Sequence, residues 1–292
     1  MTDLVIGAIT GYNFDAIAPW VNSLEKSGYN GDKAMLCYNV SYDVCNELNK
    51  RGFRVLGFEH NEEERRLEYT KPGFNVVVER FQHLAFVLRE IETKYRYIIS
   101  TDVKDVIFQR NPSEWLEGTL GKSQLDLSNK VVAASESIRY NQETWGNFNL
   151  FRSFGPQIYQ TFSDRIISNA GVMAGEFETM LDLFMHIRLL CDAAPSHSIE
   201  GGGGPDQAAY NIVVNSKPWE RITYFAKSED GWAAQLGTTG PQVQDRYGQF
   251  MTEPTPILKD GKVCTSTGEP FYIVHQYDRV PEWKNQILEQ YK

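Results

Sequence analysis

The stretch Tyr97-Ile98-Ile99-Ser100-Thr101-Asp102-Val103-Lys104-Asp105-Val106-Ile107-Phe108 decides how the rest of the chain is read. Its apolar run ends in two carboxylates three residues apart. That is the pattern of a buried strand delivering Asp102 and Asp105 to the carboxyl edge of a sheet, where ligands bind in open α/β folds. Asp also favours turns and helix N-caps, so on this stretch alone a plain structural role for both residues stays open.

Upstream, Leu4-Val5-Ile6-Gly7-Ala8-Ile9 is another apolar run, closed by the turn cluster Thr10-Gly11-Tyr12-Asn13. Ile17, Trp20, Val21 and Leu24 recur at helical spacing, followed by strands over 34–38 and 53–58 with a short helix over 44–48 between them. This βαβαβ succession predicts a parallel sheet covered by helices on both faces. The charged run within 60–69 reads as a solvated loop or helix face, and 76–95 as a helix packed on the sheet. Arg80 lies near the start of that helix, where a cation is out of place unless it is a surface residue or meets an anion.

Downstream the pattern loosens. A short helix is expected over 113–116, a buried strand over 131–135 and an amphipathic helix over 176–191. Residues 138–165 are polar and aromatic without a sustained period and read as a mobile or acceptor-facing insertion. The small and apolar run 167–175 permits close backbone approach. Gly201-Gly202-Gly203-Gly204-Pro205 reads first as a linker and second as an anion cradle, with Asp206 as N-cap of a helix over 207–214. Residues 232–250 read as a long loop, and Phe271-Tyr272-Ile273-Val274-His275-Gln276-Tyr277-Asp278 returns to strand character.

The 292 residues suffice for a sizeable core, and 41% hydrophobic with 23% charged residues is a globular composition. A net charge of -9 argues against nucleic-acid binding, which needs clustered cations, but leaves room for a nucleotide held through a metal ion. Cys37, Cys45, Cys191 and Cys264 have no CxxC spacing and read as free thiols of a reducing compartment. With no signal-like start and no apolar run of about 20 residues, the expected location is cytoplasmic, without a transmembrane segment. No internal repeat or linker divides the chain, so a single α/β domain with an irregular C-terminal half is expected.

Asp102, Asp105 and His275 each follow a strand-like run and can converge at one edge. Carboxylates with an imidazole suit Mn²⁺ or Mg²⁺, although a lone His after a strand is more often a packed one. In order along the chain, strand-Thr-Gly-Tyr, an Arg-bearing helix, the Ser-Thr-Asp-Val-Lys-Asp stretch, Ser-Asn-Ala-Gly-Val, Pro-Asp-Gln-Ala-Ala-Tyr-Asn and Val-His-Gln-Tyr-Asp are found. This order resembles the metal-dependent nucleotide-sugar glycosyltransferases of the GT-A fold, and is most similar to the glycogenin and lipopolysaccharide galactosyltransferase type.

The resemblance implies a Rossmann-related domain with a mainly parallel sheet flanked by helices, residues 1–110 forming a nucleotide-binding half and 111–292 an acceptor-binding half. It implies that Thr10, Gly11 and Tyr12 border the base and ribose, that Arg80 reaches the donor with Thr101 beside it, and that Asn169 and Gly171 line the sugar pocket. Asp206 and Gln207 fall near the reacting carbon. Asp102 and His275 match the metal ligands, with Asp105 compensating for Ser100, which stands where the family has its first aspartate. The implied activity is transfer of a hexosyl or pentosyl group from a nucleoside-diphosphate sugar to a glycan, glycoprotein or small-molecule hydroxyl. Retention of anomeric configuration is expected; the inverting route would use Asp206 as base. Other readings are a sugar-1-phosphate nucleotidylyltransferase, for which Thr10-Gly11-Tyr12-Asn13 lacks a basic residue, and a non-catalytic carbohydrate- or nucleotide-binding protein, for which Ser100 speaks.

Overall fold

A computed structural model describes residues 1–120, 128–194 and 203–291; Gly201 and Gly202 of the glycine run lie outside the described residues. The chain runs β1 (Leu4–Thr10), α1 (Phe14–Lys26), β2 (Asp32–Tyr38), β3 (Val40–Ser41), α2 (Tyr42–Lys50), β4 (Phe53–Leu56), β5 (Glu59–Asn61), β6 (Arg66–Glu68), α3 (Val76–Glu90), β7 (Tyr97–Thr101), β8 (Val106–Phe108) and α4 (Pro112–Thr119). It continues through β9 (Val131–Arg139), α5 (Thr144–Phe162), β10 (Ile166–Glu176), α6 (Phe177–Ala193), α7 (Asp206–Val214), β11 (Thr223–Ala226), β12 (Ala233–Gln235), α8 (Pro241–Tyr247), β13 (Ile257–Lys259), β14 (Lys262–Cys264), β15 (Ile273–His275) and α9 (Pro281–Glu289).

The main sheet has the order β11-β9-β10-β7-β1-β2-β4. Within it β10 runs antiparallel to both neighbours and the other strands are parallel, as the apolar β-branched runs of the first half predict. Side chains alternate across the sheet. Val5 and Ile9 face Trp20, Val21 and Leu24 of α1, whereas Leu4 and Ile6 face Phe81 and Leu84 of α3 and Phe184 of α6. Trp20 is fully buried, edge-on to Phe108 at 5.5 Å, and its indole N–H donates to Thr101 Oγ1 at 2.8 Å. Truncating such a side chain costs about 3–5 kcal/mol, which marks the α1 face as a principal anchor of the sheet.

Strand order reverses at β1, since β2 and β4 extend to one side and β7 to the other. Open α/β sheets bind ligands in the crevice at such a reversal. A second sheet, β12-β15-β8, covers that end: β8 is antiparallel to β15, with His275 opposite Val106. Residues 103–105 are stapled to it, because Gln276 N donates to Asp105 O (2.7 Å) and Tyr277 OH to Lys104 O (2.8 Å). Gly7 makes room for this turn, as any Cβ there would collide with Val103.

Several sequence expectations change. The charged run 62–65 is the exposed turn of a hairpin between β5 and β6, which pairs with β3, and Arg65 at φ 51 supplies the reversal. The expected mobile insertion is largely the helix α5; Gly155 (φ 77, ψ 178) and Pro156 kink it and hide its period from the sequence. Residues 232–250 contain β12 and α8 instead of a loop. Asp206 is the first residue of α7, not its N-cap; Pro205 holds that position without a side-chain bond. All four cysteines are free and buried, and among the described residues no helix is long and apolar enough to cross a membrane.

Candidate active site

The ends of β7 and β15 bring together the residues that the sequence spaces 170 positions apart. One ligand atom each from Asp102, Asp105 and His275 lies within 4.8 Å of the others. His275 Nε2 is 3.7 Å from Asp102 Oδ2 and 3.6 Å from Asp105 Oδ1. An octahedral cation with oxygen ligands at about 2.1 Å separates neighbouring ligands by about 3 Å and opposite ones by about 4 Å, so small rotations would close these atoms around one ion. The donor set, two hard carboxylates and one imidazole, fits Mn²⁺ or Mg²⁺. His275 Nδ1 lies 2.7 Å from Gln235 Oε1. An Nδ1–H donating to that amide oxygen directs the Nε2 lone pair at the carboxylates, the usual support of a metal-binding histidine.

Backbone contacts fix the triad. Asp102 N donates to Gly171 O at 2.8 Å, and Gly171 N donates to Asn169 Oδ1 at 2.6 Å. A Cβ on Gly171 would lie 2.6 Å from His275 Nε2, so the close approach of β10 to the histidine requires glycine. Asn169 Nδ2 in turn donates to Glu136 Oε1 at 2.6 Å. The residues from Asn169 to Gly171 thus form a hydrogen-bonded bridge from Glu136 to Asp102.

Arg80 resolves the question its position posed. It is buried, Nη1 donating to Asp102 Oδ1 and Nη2 lying 3.6 Å from Asp206 Oδ2, so it meets two anions. Burial would raise the Asp102 carboxyl, but the charge of Arg80 and the nearby His275 win and hold it well below the usual range. Asp105 is raised by burial, with Asp102 adding to the shift and His275 opposing it. Burial pushes Asp206 up to about 6 against the pull of Arg80, and Glu136 up to about 7 against its hydrogen bond from Asn169. Burial depresses His275, but the nearby Asp102 and Asp105 carboxylates raise it overall, so a cation entering here competes with a proton.

Two cavities flank the triad. One of about 260 Å³ is lined by Thr10, Tyr12, Arg80, Asp102, Lys104 and Asp105. The other, about 480 Å³, is bordered by Glu136, Trp145, Asn169, Gln207, Tyr247 and Gln276. Arg279 lines both. Among the expected donor residues, Thr10, Tyr12 and Arg80 face the smaller cavity and Asn169 the larger. Gly11, at φ 65, turns the chain between Thr10 and Tyr12. Thr101 is buried, and its hydroxyl accepts from the Trp20 indole in the core. Gln207 faces the larger cavity, while Asp206 lies behind it against Arg80.

No family model and no curated protein matches the sequence. The fold is similar to that of a solved glycosyltransferase. The crystal structure of the glycosyltransferase GlyE from Streptococcus pneumoniae TIGR4 superposes with a TM-score of 0.51 at 14% identity, over 94% of this chain and 54% of the GlyE chain. The chain therefore spans about half the length of that neighbour. Mixed α/β architecture with a large, mainly parallel sheet flanked by helices is common to the expectation and the structure.

Sequence reading missed Gln235, Glu136, Lys104 and Arg279. Lys104 lies inside the quoted Asp102–Asp105 stretch and Arg279 directly follows Asp278, and both carry the charge that an anionic ligand needs. Gln235 and Glu136 had no signal, as a single amide or carboxylate in a strand has no spacing to read.

Proposed function

We propose that this chain is a metal-assisted glycosyltransferase of GT-A type, moving a sugar from a nucleoside-diphosphate donor to an acceptor hydroxyl. The observation that carries the reading is the Asp102, Asp105 and His275 cluster at the sheet's topological switch point, between a cavity lined by Arg80, Lys104 and Arg279 as well as by aspartates and a larger cavity with polar and aromatic walls. A divalent cation held by Asp102, Asp105 and His275 supplies positive charge to the departing diphosphate.

The protein's own groups do the rest. Tyr12 and Thr10 border the nucleoside, Lys104 and Arg279 face the diphosphate, and Arg80 keeps Asp102 ionised and aimed. Asn169 and Gln207 hold the sugar between the cavities. Asp206 is engaged by Arg80 and does not reach the larger cavity, which supports the retaining route without a dedicated base over the inverting one. A nucleotide-binding half (1–110) and an acceptor-binding half (111–292) are part of the proposal; the smaller cavity supports it in drawing mainly on residues 8–105, joined by Asp278 and Arg279.

The test is sugar release or transfer from a panel of UDP-, GDP-, CDP- and ADP-sugars with Mn²⁺, Mg²⁺ or EDTA. Metal-dependent turnover is expected for at least one donor, falling at least 100-fold in Asp102→Ala with the fold retained. Normal turnover in that variant would refute the mechanism, and pyrophosphate release from a nucleoside triphosphate would assign the chain to nucleotidylyl transfer.

A further inference from the structure

We propose that the 480 Å³ cavity is the acceptor subsite and that it takes a sugar residue of a glycan, stacked on Trp145 and Tyr247 with ring hydroxyls on Glu136. This rests on the transfer reading above. Its volume lies within the range of about 300–1,000 Å³ usual for small-ligand sites.

Glu136 is aimed there by the backbone. Pairing of β9 with β10 slips between Ser135↔Ser168 and Arg139↔Ile166, and Ser137 is a non-glycine residue at φ 61. Such bulges re-aim a side chain next to a site. The irregularity is braced: Ser137 N donates to Ser135 Oγ (2.8 Å), while the Ser135 and Ser137 hydroxyls donate to the two oxygens of Glu253 at 2.6 and 3.2 Å. A carboxylate that merely met solvent would need none of this. Asn169 Nδ2 occupies part of Glu136, and a carboxylate has about four acceptor positions, so capacity for hydroxyl donors remains.

The aromatic walls stand on placed backbone. Glu143 caps α5 and accepts from the backbone N–H of Trp145 at 2.9 Å, which sets where the indole leaves the helix, and Tyr247 OH is 2.7 Å from Thr144 Oγ1. Two flat rings beside a carboxylate and the amide of Gln276 match a ligand with C–H faces and a rim of hydroxyls. A peptide or a lipid fits less well. Peptide docking uses an unpaired strand edge or apolar side-chain pockets, and Val243 is the only aliphatic side chain among the described lining residues.

The test is saturation-transfer NMR on the full chain with methyl hexosides, lactose and cellobiose, set against a Ser/Thr/Tyr peptide, with titrations for Kd and melting curves as fold control. At least one sugar is expected to bind through its ring protons, about tenfold more weakly in Trp145→Ala and severalfold more weakly in Glu136→Gln. If Trp145→Ala does not fold, Glu136→Gln and Trp145→Leu carry the comparison. Binding of the peptide and no sugar, or sugar binding indifferent to these variants, overturns the proposal even if nucleotide sugars are turned over. Sugar binding with the expected pattern but no nucleotide-sugar turnover upholds the subsite and sinks the transfer reading instead.

Discussion

Gly171→Ala tests the geometry of the triad with one methyl group. A Cβ at this position would lie 2.6 Å from His275 Nε2 and 2.9 Å from Asn169 Oδ1, both inside van der Waals contact. Gly171 is not among the positive-φ glycines, so alanine strains no backbone dihedral and the effect isolates the contact. The ring and the amide must give way. Overpacking of this kind costs about 1–3 kcal/mol, or roughly 2–10 °C in melting temperature for a chain of this size. Displacing the imaginary line from Nε2 to the carboxylates should weaken Mn²⁺ binding by about 10–100-fold, the usual cost of disturbing a group that orients a ligand. Calorimetric or EPR titration of Mn²⁺ reads the affinity. In a double-mutant cycle with His275→Ala, removing the ring should relieve much of the stability loss, since the clash is with that ring. Mn²⁺ affinity within twofold of the parent, or strict additivity in the cycle, would refute the reasoning.

Further outcomes follow from the same contacts. Thr101→Val should cost about 1–3 kcal/mol by leaving the buried Trp20 N–H unsatisfied, yet leave Mn²⁺ affinity within twofold, as chemical denaturation and metal titration together would establish. Gln235→Leu should weaken Mn²⁺ about tenfold or more by releasing His275 Nδ1; unchanged affinity would show that the ring is held otherwise. Glu136 is raised by burial from 4.5 to about 7, so the folded state binds its proton more tightly than the unfolded state does. Its stabilisation is complete below about pH 4.5 and lost as pH rises through about 7, by at most about 3 kcal/mol. Glu136→Gln, which mimics the protonated form, should flatten this part of the melting profile between pH 5 and 8, whereas parallel profiles would contradict the assigned burial.

The legible features were the ones with period or order. The alternation of apolar runs and helices in residues 4–58 specified the parallel half-sheet, and the Asp102/Asp105 stretch with His275 specified the triad because each lies at or next to the end of a strand. What stayed hidden had no local signature. Gly155 and Pro156 disguise α5, and Arg65 makes a hairpin from a run of charges. Thr101 reads like a site residue because it adjoins Asp102, but strand alternation turns it into the core against Trp20. Asp206 has the composition of an N-cap, yet it answers Arg80 from 126 residues away, a contact only the fold can make. Glu136 owes its direction to a bulge, which residue types alone do not announce.

The central claim is that Asp102, Asp105 and His275 hold a cation that in turn holds a diphosphate. Calorimetric titration of UDP, GDP, CDP and ADP, each with Mn²⁺ and again with EDTA, tests it most directly. At least one nucleotide should bind tenfold or more tightly with Mn²⁺, and Asp102→Ala should abolish that increment without unfolding the chain. Equal affinity with Mn²⁺ and EDTA for every nucleotide, or a metal-dependent increment that survives in Asp102→Ala, would contradict it.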